Sequence, residues 1–201
     1  MQSFKHRNVI IAPPASNAEN NKIVKDLSKI KLGFKKTDIL YLFVGGAGKR
    51  KGLSCAIETM RYVKNKNAKL IIAGPKKIND KLPSNCILYG RVSDNLLKQL
   101  YNASDILFFP SNYEGFPTVI VEAMSFGTVP LTYSREPFTE VVNNRNSFLA
   151  GKCSDYKKII DNITLSDGLK KKQRVCITQS KKFTATRQFH KYEILVKRLI
   201  R

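Results

Sequence analysis

Apolar residues in this chain come in short unbroken runs that alternate with stretches of helical periodicity. Ile39 to Val44 is apolar throughout and stops at Gly45-Gly46, the pattern of a strand buried on both faces. Leu53, Ala56, Ile57, Met60 and Val63 then recur at helical spacing. Leu70 to Ala73 ends in Gly74-Pro75, and Ile87 to Tyr89 ends in Gly90. After a helix marked by Leu96, Leu97, Leu100 and Tyr101, Ile106 to Phe109 ends in Pro110. A further helix is expected from about Pro117 to Phe126, stopping at Gly127 before the strand-like Val129 to Tyr133. Repeated strand and helix units of this kind predict an α/β domain, a doubly wound Rossmann-like parallel sheet with helices on both faces. Ligands of such sheets bind at the carboxyl ends of the strands.

Residues 1–38 do not follow that repeat. Val9 to Ala12 reads as one short strand before a turn rich in Pro and Asn, and a polar helix is expected around Asn21 to Lys31. Toward the other end, Ser154 and Ser166 are candidate helix caps. The segment 183–201 carries an apolar stripe of Phe189, Tyr192, Leu195, Val196 and Leu199 opposite Arg187, Lys191, Lys197, Arg198 and Arg201. Such a helix either packs on its own domain or lies on a membrane surface. The main domain is therefore expected over 39–182.

Composition narrows the class. At 201 residues with 42% hydrophobic and 25% charged positions, one globular domain is the default. Val9 to Ala12 is too short for a secretory segment, and no stretch approaches a membrane span, so a cytoplasmic location is expected. Cys55, Cys86, Cys153 and Cys176 stand far apart and only His6 and His190 could join them, which suggests neither a zinc site nor a disulfide framework. Reduced thiols are the expectation in that compartment. Thirty-six Lys plus Arg against fifteen Asp plus Glu give a formal charge of +21, a field that attracts nucleic acid, acidic lipid headgroups or phosphorylated ligands. The basic residues are scattered through every segment, so compositional bias accounts for them equally well.

The chemistry concentrates at the helix near 117. Val119, Ile120, Val121, Ala123 and Met124 make it apolar around most of its circumference, leaving Thr118, Glu122 and Ser125 as one polar stripe. Glu114 stands just before it, and Gly115 allows close approach of a ligand. The N–H groups of Phe116, Thr118 and Val119, at the positive end of the helix dipole, favour a phosphate or a sugar oxygen. Carboxylates accept hydrogen bonds from hydroxyls, so Glu114 and Glu122 beside an anion-friendly helix start suit a ligand with both phosphate and sugar parts. A second candidate is Gly45-Gly46-Ala47-Gly48-Lys49-Arg50-Lys51-Gly52, a flexible cationic turn suited to a diphosphate. It is not a Walker A loop, which needs Gly where Phe43 stands and Ser or Thr where Arg50 stands.

In order along the chain stand V-G-G-x-x-x-R-K-G, Ala73-Gly74-Pro75, Tyr89-Gly90-Arg91-Val92-Ser93, Leu100-Tyr101-Asn102-Ala103-Ser104-Asp105, and Pro110-Ser111-x-x-Glu114-Gly115-Phe116-x5-Glu122-Ala123-Met124-x2-Gly127. From about 39 to 150 the chain resembles the C-terminal, nucleotide-sugar-binding half of a family 4 retaining glycosyltransferase of the GT-B fold. The resemblance implies that Glu122 holds the ribose hydroxyls, while Glu114 and the backbone of Gly115, Phe116 and Pro117, beside Thr118, meet the donor sugar. Arg50 and Lys51 would neutralise the diphosphate, and the backbone around Arg91 and Val92 would face the base. Glu114, Arg50 and Lys51 are then the catalytic candidates, with neither a cofactor nor a metal expected and no D-x-D pair to bind one. Gly46 lies in the donor loop where many members have an arginine. The R-K-G form resembles a subgroup that includes lipopolysaccharide-core glucosyltransferases, in which Arg50 compensates. The stretch Ser134 to Glu140 replaces the glycines usual before the later glutamate.

The resemblance further implies that residues 1–38 are linker-like and that 183–201 is a helix returning toward an N-terminal acceptor domain outside this sequence. That domain would be missing or supplied by a separate subunit, and the acceptor would be a lipid-linked or polysaccharide glycan, met at the inner face of the membrane. The competing class is a non-catalytic basic module for nucleic acid or an acidic membrane surface. Tyr and Phe cluster in apolar runs instead of interleaving with the basic residues, which argues against nucleic acid.

Overall fold

The computed structural model describes residues 18–79 and 81–183. The strand expected at Val9 to Ala12 and the stripe from Phe189 to Leu199 lie outside the described residues. Among the described residues six parallel strands form one sheet: β1 Ile39–Val44, β2 Ala68–Ala73, β3 Cys86–Gly90, β4 Ile106–Phe109, β5 Val129–Tyr133 and β6 Phe148–Ala150, in the order β3-β2-β1-β4-β5-β6. The helices are α1 Ala18–Lys31, α2 Leu53–Tyr62, α3 Asp94–Ala103, α4 Thr118–Ser125, α5 Asp155–Asn162 and α6 Asp167–Ser180. α2 packs with α5, α1 with α3, and α4 with α6, so the sheet is covered on both faces, as its apolar runs require.

Burial follows position in the sheet. β4 is buried at every residue and β1 at all but Val44, whereas edge strand β3 is buried only at Cys86. The chain lays β1, β2 and β3 outward in one direction and then returns to place β4 on the other side of β1. The order therefore reverses between β1 and β4, and their carboxyl ends open onto a crevice. β6 has no counterpart in the apolar pattern, because three residues are too few to show a period.

Two expectations need correction. Residues 25–38 are packed into the domain and do not form a linker. Lys29 of α1 is 1% exposed and its Nζ lies 2.6 Å from Asp105 Oδ2, with the carboxylate side chain 4% exposed. The same Oδ2 accepts from the Leu40 N–H at 3.0 Å, while Lys29 Nζ donates to the Asp38 carbonyl at 2.8 Å. One carboxylate thus joins α1, β1 and the start of β4. The cysteines are not all reduced either: Cys55 in α2 and Cys153 before α5 form a disulfide across 98 positions, while Cys86 and Cys176 are free and buried. Spacing could not show this, because α2 and α5 meet only in the fold. Ser154 and Ser166 do occupy cap positions, but neither side chain makes a cap bond; Ser93 does, accepting from Leu96 N–H at the start of α3.

Removing one member of a buried pair strands the other. Asp105→Ala is expected to lower folding stability by about 3–5 kcal/mol, read from the urea midpoint.

Candidate functional site at the carboxyl ends of β1 and β4

β1 leads into Gly45 to Gly48 and a 3-10 turn at Lys49–Lys51, and β4 leads into Pro110 to Pro117 ahead of α4. Glycine is required where these segments meet. A Cβ on Gly52, at φ 72°, would lie 2.0 Å from the Pro110 carbonyl oxygen, and one on Gly74, at φ 134°, would lie 2.1 Å from that of Gly45. Main-chain contact is therefore direct, and Asn112 N–H donates to the Arg50 carbonyl at 2.8 Å. Ser111 Oγ lies 3.1 Å from the same carbonyl, with its one proton directed to Glu114 at 2.7 Å.

Glu114 sits at the centre of this junction with its side chain 10% exposed. Its Oε1 accepts from Lys51 Nζ and from Ser111 Oγ, each at 2.7 Å, and its Oε2 accepts from Arg50 Nη1 at 2.7 Å. Arg50 Nη1 also donates to the Tyr113 carbonyl at 2.9 Å. Burial works to raise the Glu114 carboxyl, but the hydrogen bonds from Lys51, Ser111 and Arg50 together outweigh it and hold the group below its ordinary range. Arg50 is 52% exposed, so its free edge faces solvent. Two cations share one carboxylate here, and Arg135 extends the positive surface by donating to Asn112 Oδ1 at 3.1 Å while lying 4.3 Å from the Tyr133 ring centre. The junction can therefore accept a further anion.

At the start of α4, Pro117 is the cap residue and Thr118 the first helical one. The Thr118 N–H donates to the Phe116 carbonyl at 2.9 Å, which corrects the expectation that it is free; the N–H groups of Phe116 and Val119 have no backbone acceptor among the described residues. Glu122, half-buried, accepts from Tyr101 OH at 3.1 Å. Burial first, and then the Glu122 charge and hydrogen bond, hold the Tyr101 phenol well above its ordinary range, so it remains a donor. Ser125 does not share an open stripe with Thr118 and Glu122: it is buried and its hydroxyl donates to the Glu122 carbonyl at 2.7 Å. Phe116 is exposed, with its ring 5.9 Å from that of Phe183.

The structure thus brings Glu114, Arg50 and Lys51 into one cluster. Glu122 belongs to a separate contact with Tyr101 on α3. Arg91 and Val92 follow β3 at the sheet edge, two strands from β1. Gly46 and Gly115 face open space. Ser111, Tyr101 and Arg135 were not foreseen as site residues. Ser111 stood inside the Pro110 to Glu114 motif, so its signal was present, whereas Tyr101 read as part of an apolar helix stripe.

A parallel sheet that reverses between β1 and β4, with its polar cluster at that reversal, is the Rossmann-like half of the GT-B architecture. Residues 24–183 match the family described as glycosyl transferases group 1, and the chain belongs to it. An uncharacterized glycosyltransferase of Methanocaldococcus jannaschii is 32% identical over 123 residues, covering 56% of this chain and 32% of that protein. The capsular polysaccharide biosynthesis glycosyltransferase CapM of Staphylococcus aureus is 27% identical over 134 residues, covering 60% and 34% respectively. The chain spans about a third or less of the length of the curated relatives it matches. Among solved structures, the C-terminal domain of the group 1 glycosyl transferase LpcC from Francisella tularensis superposes with a TM-score of 0.69 at 18% identity, covering 87% of this chain and 97% of that one. HepE of Anabaena, solved in complex with UDP and glucose, gives 0.72 at 18% identity, covering 89% and 52%. At that identity the likeness concerns the fold.

Because the folded-state Glu114 carboxyl is depressed, its contribution to stability is present above the ordinary carboxylate range and is lost as pH falls through the folded value. Lys51→Met is expected to flatten the loss of urea stability between about pH 5 and about pH 3 relative to the unaltered chain.

Proposed function

We propose that this domain holds the nucleotide diphosphate sugar of a family 4 retaining glycosyltransferase. The observation that carries the reading is the Arg50–Glu114–Lys51 cluster at the sheet reversal. A diphosphate arriving there would draw Arg50 and Lys51 from the carboxylate onto its own oxygens. Glu114, still held by Ser111, would then turn to the hydroxyls of the donor sugar, next to the backbone of Gly115, Phe116 and Pro117 and the side chain of Thr118. Pro117 contributes no N–H. Glu122, oriented by Tyr101, would take the ribose hydroxyls, Gly46 would line the phosphate loop, and the backbone at Arg91 and Val92 would face the base.

In the reaction so read, the bond from the anomeric carbon to the diphosphate breaks with its electron pair going to the diphosphate oxygen, an acceptor hydroxyl oxygen bonds to that carbon on the same face, and the hydroxyl proton passes to the departing diphosphate. Negative charge gathers on the departing diphosphate, and fixed cations stabilise it. Arg50 and Lys51 would supply that charge, so the reading calls for no metal and no cofactor. The acceptor would be held by a second α/β half, on a longer chain or on a separate subunit. A lipid-linked or polysaccharide glycan fits, in keeping with the capsular polysaccharide role in the name of CapM.

No helix among the described residues is long and apolar enough to cross a membrane. A cytoplasmic site, in peripheral contact with an acidic inner membrane face, goes with the donor reading, but the Cys55–Cys153 bond runs against it, since disulfides persist in oxidising compartments. Counting free thiols on protein extracted under alkylating conditions decides between them. Four free thiols support the reducing location and two oppose it.

Titration with uridine and guanosine diphosphates, followed by protein NMR, is expected to give saturable shifts at Arg50, Lys51 and the start of α4 with at least one of them. Glu122→Ala should weaken that nucleotide by about 1–3 kcal/mol, and inorganic diphosphate, which lacks ribose, far less. Absence of saturable binding by either nucleotide, with the fold intact, would remove the proposal.

A further inference from the structure

At the amino ends of the strands, the end of the sheet opposite Glu114, a cavity of about 60 Å³ lies between α1 and α6. Lys25, Lys29, Lys170 and Arg174 line it, against Asp26 and Asp105. Pairing accounts for part of this charge. Lys29 is matched by Asp105, and Lys170 Nζ lies 2.6 Å from Asp167 at the cavity edge. Lys25 has no such match. It is 6% exposed, and its ammonium donates only to main-chain carbonyls, Ser104 at 2.6 Å and Asn102 at 3.4 Å, with no carboxylate at ion-pair distance among the described residues.

The cavity wall thus holds two buried ammonium groups to one buried carboxylate. An ammonium has three N–H donors, and Lys25 uses two of them and Lys29 two, so each keeps one. Burial drives the Lys25 ammonium down to about 8, with the Asp105 charge pulling the other way. Such an unbalanced buried cation is costly unless an anion joins it. The start of α6 borders the same space through Ser166, whose side chain makes no cap bond, and the helix dipole adds to the positive potential. The volume corresponds to on the order of two water molecules, or one tetrahedral oxyanion.

We propose that this cavity is a second anion site, taking a phosphate-sized oxyanion between Lys25, Lys29 and Arg174. It lies apart from the donor cluster and shares no residue with it. The ion would be either free inorganic phosphate or the phosphate group of a small phosphorylated metabolite. Filling it would fasten α1 to α6 and so to the sheet.

Thermal unfolding of the full chain, recorded at fixed ionic strength while inorganic phosphate replaces chloride, tests this. A saturable rise in melting temperature is expected. Its half-saturation should move up about tenfold in Lys25→Met and about threefold in Arg174→Gln. Arg50→Ala, which alters only the donor loop, should leave the response in place. Glycerol phosphate is the second probe: a matching response identifies a phosphorylated metabolite as the occupant, and a response to inorganic phosphate alone identifies the free ion. No saturable response in the unaltered chain overturns the proposal. So does a response unchanged in both cavity variants, or one lost in Arg50→Ala alone. If Lys25→Met does not fold, the exposed Arg174→Gln decides on its own.

Discussion

Strand β4 is held at each end by a carboxylate that receives an ammonium, and the position of both ends of the domain follows from that. Below, Asp105 takes Lys29 and the Leu40 N–H in a buried setting; above, Glu114 takes Lys51, Arg50 and Ser111 at the edge of solvent. β4 itself is buried at all four of its residues, so it cannot slide without disturbing one pair or the other. α1 is anchored through the lower carboxylate and the cationic turn after β1 through the upper one. The two differ in energetic character. The lower pair is dry, and breaking it leaves a charge with no solvent to answer it. The upper pair is partly wet, and its cations can change partners.

That difference separates scaffold from working surface. Around Glu114 the main chains touch directly: Gly52 against Pro110 and Gly74 against Gly45 leave no room for even a methyl group. The junction is stiff in its backbone, and what remains adjustable is the arginine and lysine tips. Groups already positioned before a ligand arrives reduce the ordering cost of binding. On the proposed donor reading, the carboxylate would act as a placeholder for the anion, keeping Arg50 and Lys51 pointed inward.

How much of this could be read from the residues depends on distance along the chain. The runs Ile39 to Val44 and Ile106 to Phe109 are legible because strands covered on both faces have no polar alternation to confuse them. Glu114 and Glu122 are legible because one loop and one helix start contain both. The contact of Arg50 with Glu114, at a separation of 64, is not, since neither position carries a mark of the other. Lys25 and Lys29 look in sequence like solvated lysines on a polar helix, and only the placement of Asp105 under α1 reveals them as buried. Thr118 misled for a local reason, because the turn formed by Phe116 and Pro117 uses the N–H that a plain helix start would leave open. β6 was too short to see, and the Cys55–Cys153 bond joins elements that no spacing rule connects.

The disulfide also bears on how the sheet meets other molecules of its own kind. Among the described residues β6 is an edge strand with β5 as its single neighbour, so its outer row of main-chain groups is a template on which another chain could add a strand. Cys153 follows the end of β6 by three positions, and its bond to Cys55 fastens that end to α2. A strand tethered so close to its terminus cannot peel off β5 and trade places with its twin in a second molecule.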